Sequence, residues 1–171
     1  ISIGRGSSCT VVERCWFHDC TINANSWYYS HPCGPMAILM GMPDHSTVFR
    51  YNDVIGSDLT PFDDGISEWG NAGPNAGLNR TAELYGNFFI FSNDDSIELD
   101  GGQKNVRCFG NRSEAGLCGV SIQGCEVGPS FVYDNQFSGM CDEFGITGQT
   151  LKTSYKNGPG ARSYIFGNTF W

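Results

Sequence analysis

Basic residues are few in this chain: 10 Lys and Arg stand against 18 Asp and Glu in 171 residues, a formal charge of −8. Such a composition cannot neutralise a run of phosphates, which excludes nucleic acid as a partner. A polyanionic ligand would need a bridging cation, for which Ca²⁺ is suited. No apolar run reaches the 18 residues that mark a membrane-spanning helix. The first residues lack a basic region followed by an apolar one, so any signal peptide is expected to have been removed already. Helix formers are scarce, whereas 23 Gly and 13% aromatic residues suit short strands joined by tight turns. Cys-x-x-Cys pairs are missing among the eight cysteines, which argues against zinc. Disulfides in a secreted or cell-surface protein are the expected reading, with the pairing left open.

What the chain does have is repetition. A short strand ending in a polar residue recurs as Val11–Ile22, Thr47–Ile55, Ala82–Ile90, Asn105–Asn111, Ser130–Phe137 and Ser163–Phe170. Aligning Asp19, Asn52, Asn87, Asn111, Asn135 and Asn168 gives steps of 33, 35, 24, 24 and 33 residues. The short steps read as bare coils, and the long ones as coils bearing loop excursions. The segment from Asn23 to Pro35, rich in Trp, Tyr, His and Pro, is one such loop.

A second series lies between these units: Gly34–Gly41, Asp63–Gly70, Asp94–Gly101, Cys118–Gly124 and Glu143–Gly148. Each is a strand closed by glycine, and Ile66, Ile97, Val120 and Ile146 are expected to stack as its inward rung. Units of this length cannot bury their own cores, so they must stack, and strands recurring once per turn imply parallel sheets. The asparagines would form an internal ladder at a bend, bonding backbone groups that the corner leaves unpaired. The expected architecture is an all-β solenoid of about six coils. With no cap evident at either end, residues 1–171 are expected to be a segment of a longer chain or a protomer that associates end to end.

The Asn-ending strand, the Asp94-Asp95-x-Ile97-x-x-x-Gly101 strand and the Gly167-Asn168-Thr169-Phe170 terminus resemble the right-handed parallel β-helix of the pectate-lyase-like superfamily. Within that superfamily the chain is similar to the polygalacturonase-like glycosidases. Those enzymes carry Asn-Thr-Asp-Gly, Asp-Asp, Gly-His-Gly and Arg-Ile-Lys motifs on successive coils. The corresponding stretches here are Phe62-Asp63-Asp64-Gly65, Asn93-Asp94-Asp95, Cys118-Gly119-Val120 and Thr150-Leu151-Lys152, then Gly158-Pro159-Gly160. Cys118 stands where the motif has histidine, and Thr150 where it has arginine.

The resemblance implies an extracellular, carbohydrate-active protein acting on an acidic polysaccharide, with Asp64, Asp94 and Asp95 catalytic. Lys152, Glu98 and Trp69 would bind substrate. The chemistry is that of two carboxyl groups, one protonating the leaving oxygen and the other activating water across the sugar. Crowding of carboxylates keeps one protonated. Set against this, Asp-Asp before a buried strand is also ordinary turn chemistry, the carboxylates capping backbone amides. The same acids with Asp58, Glu68, Glu98 and Asp100 are oxygen ligands of the kind Ca²⁺ takes. A structural or adhesive β-helix without catalysis, or one that only binds glycan, is the alternative reading.

Other residues read more plainly. His18, His31 and His45 are expected to be structural or exposed, and Lys104 and Arg107 to lie on a solvated face. Trp27, Tyr28 and Tyr29 have faces that stack on sugar rings or cover the column. Of two glycosylation sequons, Asn79 lies in a loop where a glycan has room, while Asn111 is expected buried and unmodified.

Overall fold

Strands of two to four residues cannot stand alone, and in the computed structural model they gain their partners from neighbouring coils. The structure describes residues 1–42, 44–70, 73–78, 80–154 and 161–171. The first coil carries β1 (Ser2–Ile3), β2 (Val11–Glu13) and β3 (Trp16–His18). The second carries β4 (Ile38–Met40), β5 (Val48–Arg50) and β6 (Asp53–Ile55), and the third β7 (Ile66–Glu68), β8 (Glu83–Tyr85) and β9 (Phe88–Ile90). The fourth has β10 (Asp95–Glu98), β11 (Val106–Phe109) and β12 (Arg112–Glu114), and the fifth β13 (Cys118–Ser121), β14 (Ser130–Tyr133) and β15 (Gln136–Ser138). The sixth ends the column with β16 (Gln149–Lys152), β17 (Ser163–Phe166) and β18 (Thr169–Phe170). Every third strand joins one sheet, so three six-stranded parallel sheets run along a right-handed β-helix.

The core is a set of like residues at like positions. In the first sheet Ile38, Ile66, Ile97, Val120 and Leu151 share one register row. Phe49, Leu84, Cys108 and Val132 do so in the second sheet, and Val54, Phe89, Ser113 and Phe137 in the third. Phe49, Phe89, Ile97 and Leu84 are almost fully buried, each contributing about 1.5–3 kcal/mol against its exposed state. Gly65 and Gly119 keep the first sheet close to this core. A Cβ on Gly65 would fall 2.5 Å from the Phe89 ring, and one on Gly119 2.3 Å from Phe137.

The rung expected at Ile146 is Leu151 instead, and Ile146 is exposed. The cause is local: Asp142 Oδ1 accepts the amides of Phe144 and Ile146 at 3.0 and 2.9 Å, folding that stretch into a turn before β16 begins.

The corner between the second and third sheets is two residues long and built the same way in every coil. The first residue is left-handed: Arg14, Tyr51, Gly86, Gly110, Asp134 and Gly167 have φ of 55, 56, 65, 61, 54 and 67°. The second is asparagine from the second coil onward, buried or nearly so. Asn111 shows the pattern: its Nδ2 donates to Leu84 O at 2.9 Å and to Asn135 Oδ1 at 3.0 Å. Its Oδ1 accepts from Asn87, amide N–H at 3.1 Å and Nδ2 at 2.9 Å. Asn52, Asn87, Asn135 and Asn168 continue the chain of bonds. Asp19, expected at the first rung, lies beyond β3 with its side chain 91% exposed. Cys15 holds that corner position, because the two-residue turn follows β2 directly, and its amide donates to Asn52 Oδ1 at 3.1 Å.

The expected disulfides are not formed either: all eight cysteines are free thiols. Register explains part of this: Cys108 stands between Leu84 and Val132, and Cys118 between Asp95 and Gln149, so neither faces a cysteine on an adjoining coil. Sequon Asn79 and the Gly158-Pro159-Gly160 turn lie outside the described residues.

Asn111→Ala should lower unfolding free energy by about 2–4 kcal/mol, because it strands the Asn87 amide and the Leu84 carbonyl in the interior. Equilibrium denaturation in urea reads this directly, and a loss below about 0.5 kcal/mol would show the ladder to be incidental.

Candidate active site

Register decides which acids meet. Since Ile66 pairs with Ile97, Asp63 and Asp64 stand one coil from Asp94 and Asp95, and Cys118 follows Asp95 on the next coil. Residues about 31 positions apart thereby become neighbours at roughly the 4.8 Å spacing of paired strands. Asp64, Asp94 and Asp95 each present an oxygen within 4.8 Å of the others. Their exposures are only 6%, 5% and 1%.

Each carboxyl has a different set of partners. Asp64 Oδ1 accepts the Asp95 amide at 2.9 Å. Asp95 Oδ2 accepts from Lys152 Nζ at 2.8 Å, while its Oδ1 is buried without a hydrogen-bond partner. Lys152 closes β16, two coils away, and its Nζ also lies 3.6 Å from Asp94 Oδ1. The other oxygen of Asp94 is 3.3 Å from His31 Nε2. Asp63 Oδ2 accepts the Gly34 amide at 3.0 Å. Glu98 Oε2 accepts from Ser67 Oγ at 2.7 Å.

Crowding and burial set the protonation. Burial, then the charge of Asp94, pushes Asp95 up to about 7 against the pull of Lys152. Asp64 is raised well above the carboxylate range by burial and then by Glu98 and Asp95. Burial and Asp94 push Asp63 up to about 6. For Lys152 burial acts downward, but the charge and hydrogen bond of Asp95 outweigh it and hold the ammonium above its ordinary range. Burial, followed by Asp95, raises the Cys118 thiol, so this residue is no thiolate.

The loop at 23–35 covers this cluster. Trp27 Nε1 donates to Asn93 O at 2.8 Å, Asn93 Nδ2 donates to Asn25 O at 2.9 Å, and the Trp27 and His31 rings lie 4.8 Å apart. His31 is exposed, 73% in its side chain, as the sequence implies, and yet it reaches Asp94 at the edge of the cluster. It carries no periodic signal because it sits in the irregular excursion; the aromatic content of that segment is the one hint. Trp69 is not part of the site: it lies past the opposite end of β7, 70% exposed, beside Met42.

The cluster suits proton transfer better than metal binding. Three oxygens lie close enough to share one cation, yet Ca²⁺ takes six to eight. The Lys152 ammonium already bonds Asp95 and neighbours Asp94. The oxygen spacing of 4.8 Å or less falls short of the roughly 6.5–9.5 Å of inverting glycosidases and is nearer the roughly 5–5.5 Å of retaining ones. No family model, no curated protein and no solved structure matches this chain.

Carboxyls raised in the folded state hold protons that the unfolded chain has released between pH 4 and 7. Stability should therefore be highest near pH 4 and fall as pH rises through the values of Asp63 and Asp95, about 6 and 7. A melting temperature lower at pH 8 than at pH 4.5, by on the order of 5–10 °C, is the expected reading. Asp63→Asn should flatten the part of that slope below about pH 6. An unchanged slope would remove Asp63 from the account.

Proposed function

We propose that this chain is a polysaccharide-acting glycoside hydrolase on the pattern of the polygalacturonase-like enzymes of the pectate-lyase-like superfamily, working outside the cell. One observation carries the reading: carboxyls from two coils meet a lysine from a third, and at least one of them keeps its proton near neutrality. That is the arrangement a general acid needs beside a second, ionised carboxylate.

Partners suggest the division of work. Asp95, the proton holder, suits the general acid. Asp94 faces Lys152 with one oxygen and His31 with the other, a position that suits the base or nucleophile. Asp64 accepts the Asp95 amide and so positions the acid. Access requires the loop at 23–35 to lift, which breaks the Trp27 to Asn93 bond and the His31 contact. The family pattern would have Lys152 hold a uronate carboxylate, but Asp95 and Asp94 already engage it. A neutral or basic sugar at the cleavage point therefore fits the charge of the site better than a polyuronate.

A second reading is favoured by the burial of the trio and by the amide bond to Asp64. In it the acids brace the turns of a structural or adhesive β-helix that has no activity.

Release of reducing ends from pectin, polygalacturonate, alginate, neutral glucans and chitosan at pH 5 and 7 separates the two. Hydrolysis of at least one substrate is expected, with Asp95→Asn and Asp94→Asn each lowering the rate by roughly 10²-fold or more. No release from any substrate, with melting temperatures raised in both variants, would leave the structural reading standing.

A further inference from the structure

The loop over the acids is a unit tied across its own base. It leaves the first coil after β3 and enters the second at β4, yet its bonds reach Asn93 and Asp94 near the start of β10 on the fourth. At the neck the Asn25 amide donates to Cys33 O at 3.4 Å, and Asn25 Oδ1 accepts the Cys33 amide at 2.8 Å. Ala24 is buried there against Gly34, on which a Cβ would fall 2.5 Å from the Ala24 Cα. Asn25 Nδ2 also donates to Ser30 Oγ at 3.1 Å. A loop closed on itself in this way keeps its shape when its outer contacts break, as a flap does.

The outer contacts are polar and come from two sides. On one, Trp27 Nε1 donates to Asn93 O at 2.8 Å and His31 Nε2 lies 3.3 Å from Asp94 Oδ2. On the other, Glu143 Oε1 accepts Ser26 Oγ at 2.5 Å and the Tyr28 amide at 3.4 Å. Glu143 stands between β15 and β16, so a single carboxylate joins the loop to the far coils of the column. Tyr28 and Tyr29 are 77% and 81% exposed, and their rings add little apolar burial to the closed position. A cavity of about 180 Å³ lies beside the junction, lined by Asp58, Phe91, Ser92, Asn93, Asp142 and Glu143 among others.

We propose that the loop at 23–35 is an autoinhibitory flap and that Glu143 is its latch. With the two Glu143 bonds made, the flap holds Asp94 and Asp95 shut; with them broken, it swings from its neck and opens these acids to a ligand. The proposal rests on the catalytic reading of the acids for its purpose and adds to it the regulation of that site. Bonds to an ionised carboxylate are stronger than neutral ones, which lets one exposed side chain serve as the fastening. Losing both should raise the open fraction about tenfold or more.

Carboxyl amidation tests this without any turnover. The full chain is treated at pH 5 with a water-soluble carbodiimide and glycine ethyl ester, and the modified positions are followed by peptide mass spectrometry. Asp94 and Asp95 should be amidated at least tenfold faster in Glu143→Ala than in the unaltered chain. Glu143→Gln, which keeps an accepting oxygen without the charge, should fall between the two. Asp58→Asn, which removes a charge from the cavity wall, should match the unaltered chain. Asp100, 1% exposed and bonded to Ser121 Oγ and the Gln123 amide, reports unfolding and should react at one rate in all four chains.

Unchanged amidation of Asp94 and Asp95 in Glu143→Ala overturns the latch. An equal rise at Asp100 overturns it too, since the whole fold would then be opening, and so does an equal rise in Asp58→Asn, which would make the effect one of net charge. The latch and the enzyme fail separately. Faster amidation in a chain that cleaves no polysaccharide keeps the flap and removes the hydrolase. Cleavage with amidation unmoved by Glu143→Ala does the reverse.

Discussion

Everything in this molecule depends on one constraint, that equivalent residues of successive coils must stack in register. A parallel sheet places them about 4.8 Å apart whatever their chemistry. For Ile38, Ile66, Ile97 and Val120 this makes a continuous apolar row. For Tyr85, Phe109, Tyr133 and Phe166 it makes a stack of rings at 4.8 to 4.9 Å. For the corner asparagines it makes a chain of side-chain bonds, and these in turn fix the register by matching one donor and one acceptor per coil. A slip of one residue would break every rung at once, so the ladder specifies the alignment as well as stabilising it.

The same constraint forces like charges together where they would otherwise separate. Asp64 and Asp95 share a register position and cannot move apart without breaking the sheet. The electrostatic cost is met by protons and by Lys152, and Asp95 is pushed up to about 7 as a result. Structural necessity does not call for this arrangement, since Gln149 and Met36 occupy the corresponding positions on other coils without charge. That contrast is the physical ground for the catalytic role proposed for the cluster.

What repeats is what the sequence makes legible. Asn52, Asn87, Asn111, Asn135 and Asn168 recur at coil spacing, and so do the strands holding Asp64, Asp95 and Lys152, so spacing alone implies their adjacency. Cys15 cannot be read as the first rung, because its amide uses the ladder while its side chain is not asparagine. Ile146 mimics the inward rung in sequence, yet the Asp142 turn takes it out of the strand. The cysteine count misleads for a similar reason. An even number suggests pairing, but only three-dimensional register shows that Cys108 and Cys118 face other residues. His31 is hidden because loops carry no period, and its place is fixed by the bonds of Trp27 and Asn25 to Asn93.

The loops therefore hold the information that the solenoid lacks. A column of stacked coils presents the same profile along its length, and specificity must come from excursions that break the repeat. Here the loops at 23–35 and 141–147 leave different coils and meet over Asn93 through Ser26 and Glu143. One lays His31 on Asp94, and the other brings Asp142 and Glu143 to the neighbouring cavity. The rigid part of the molecule fixes the acids, and the irregular part lies over them. Because the tether between the loops is exposed and built from a few polar bonds, it opens at less cost than the buried rows and ladder of the column.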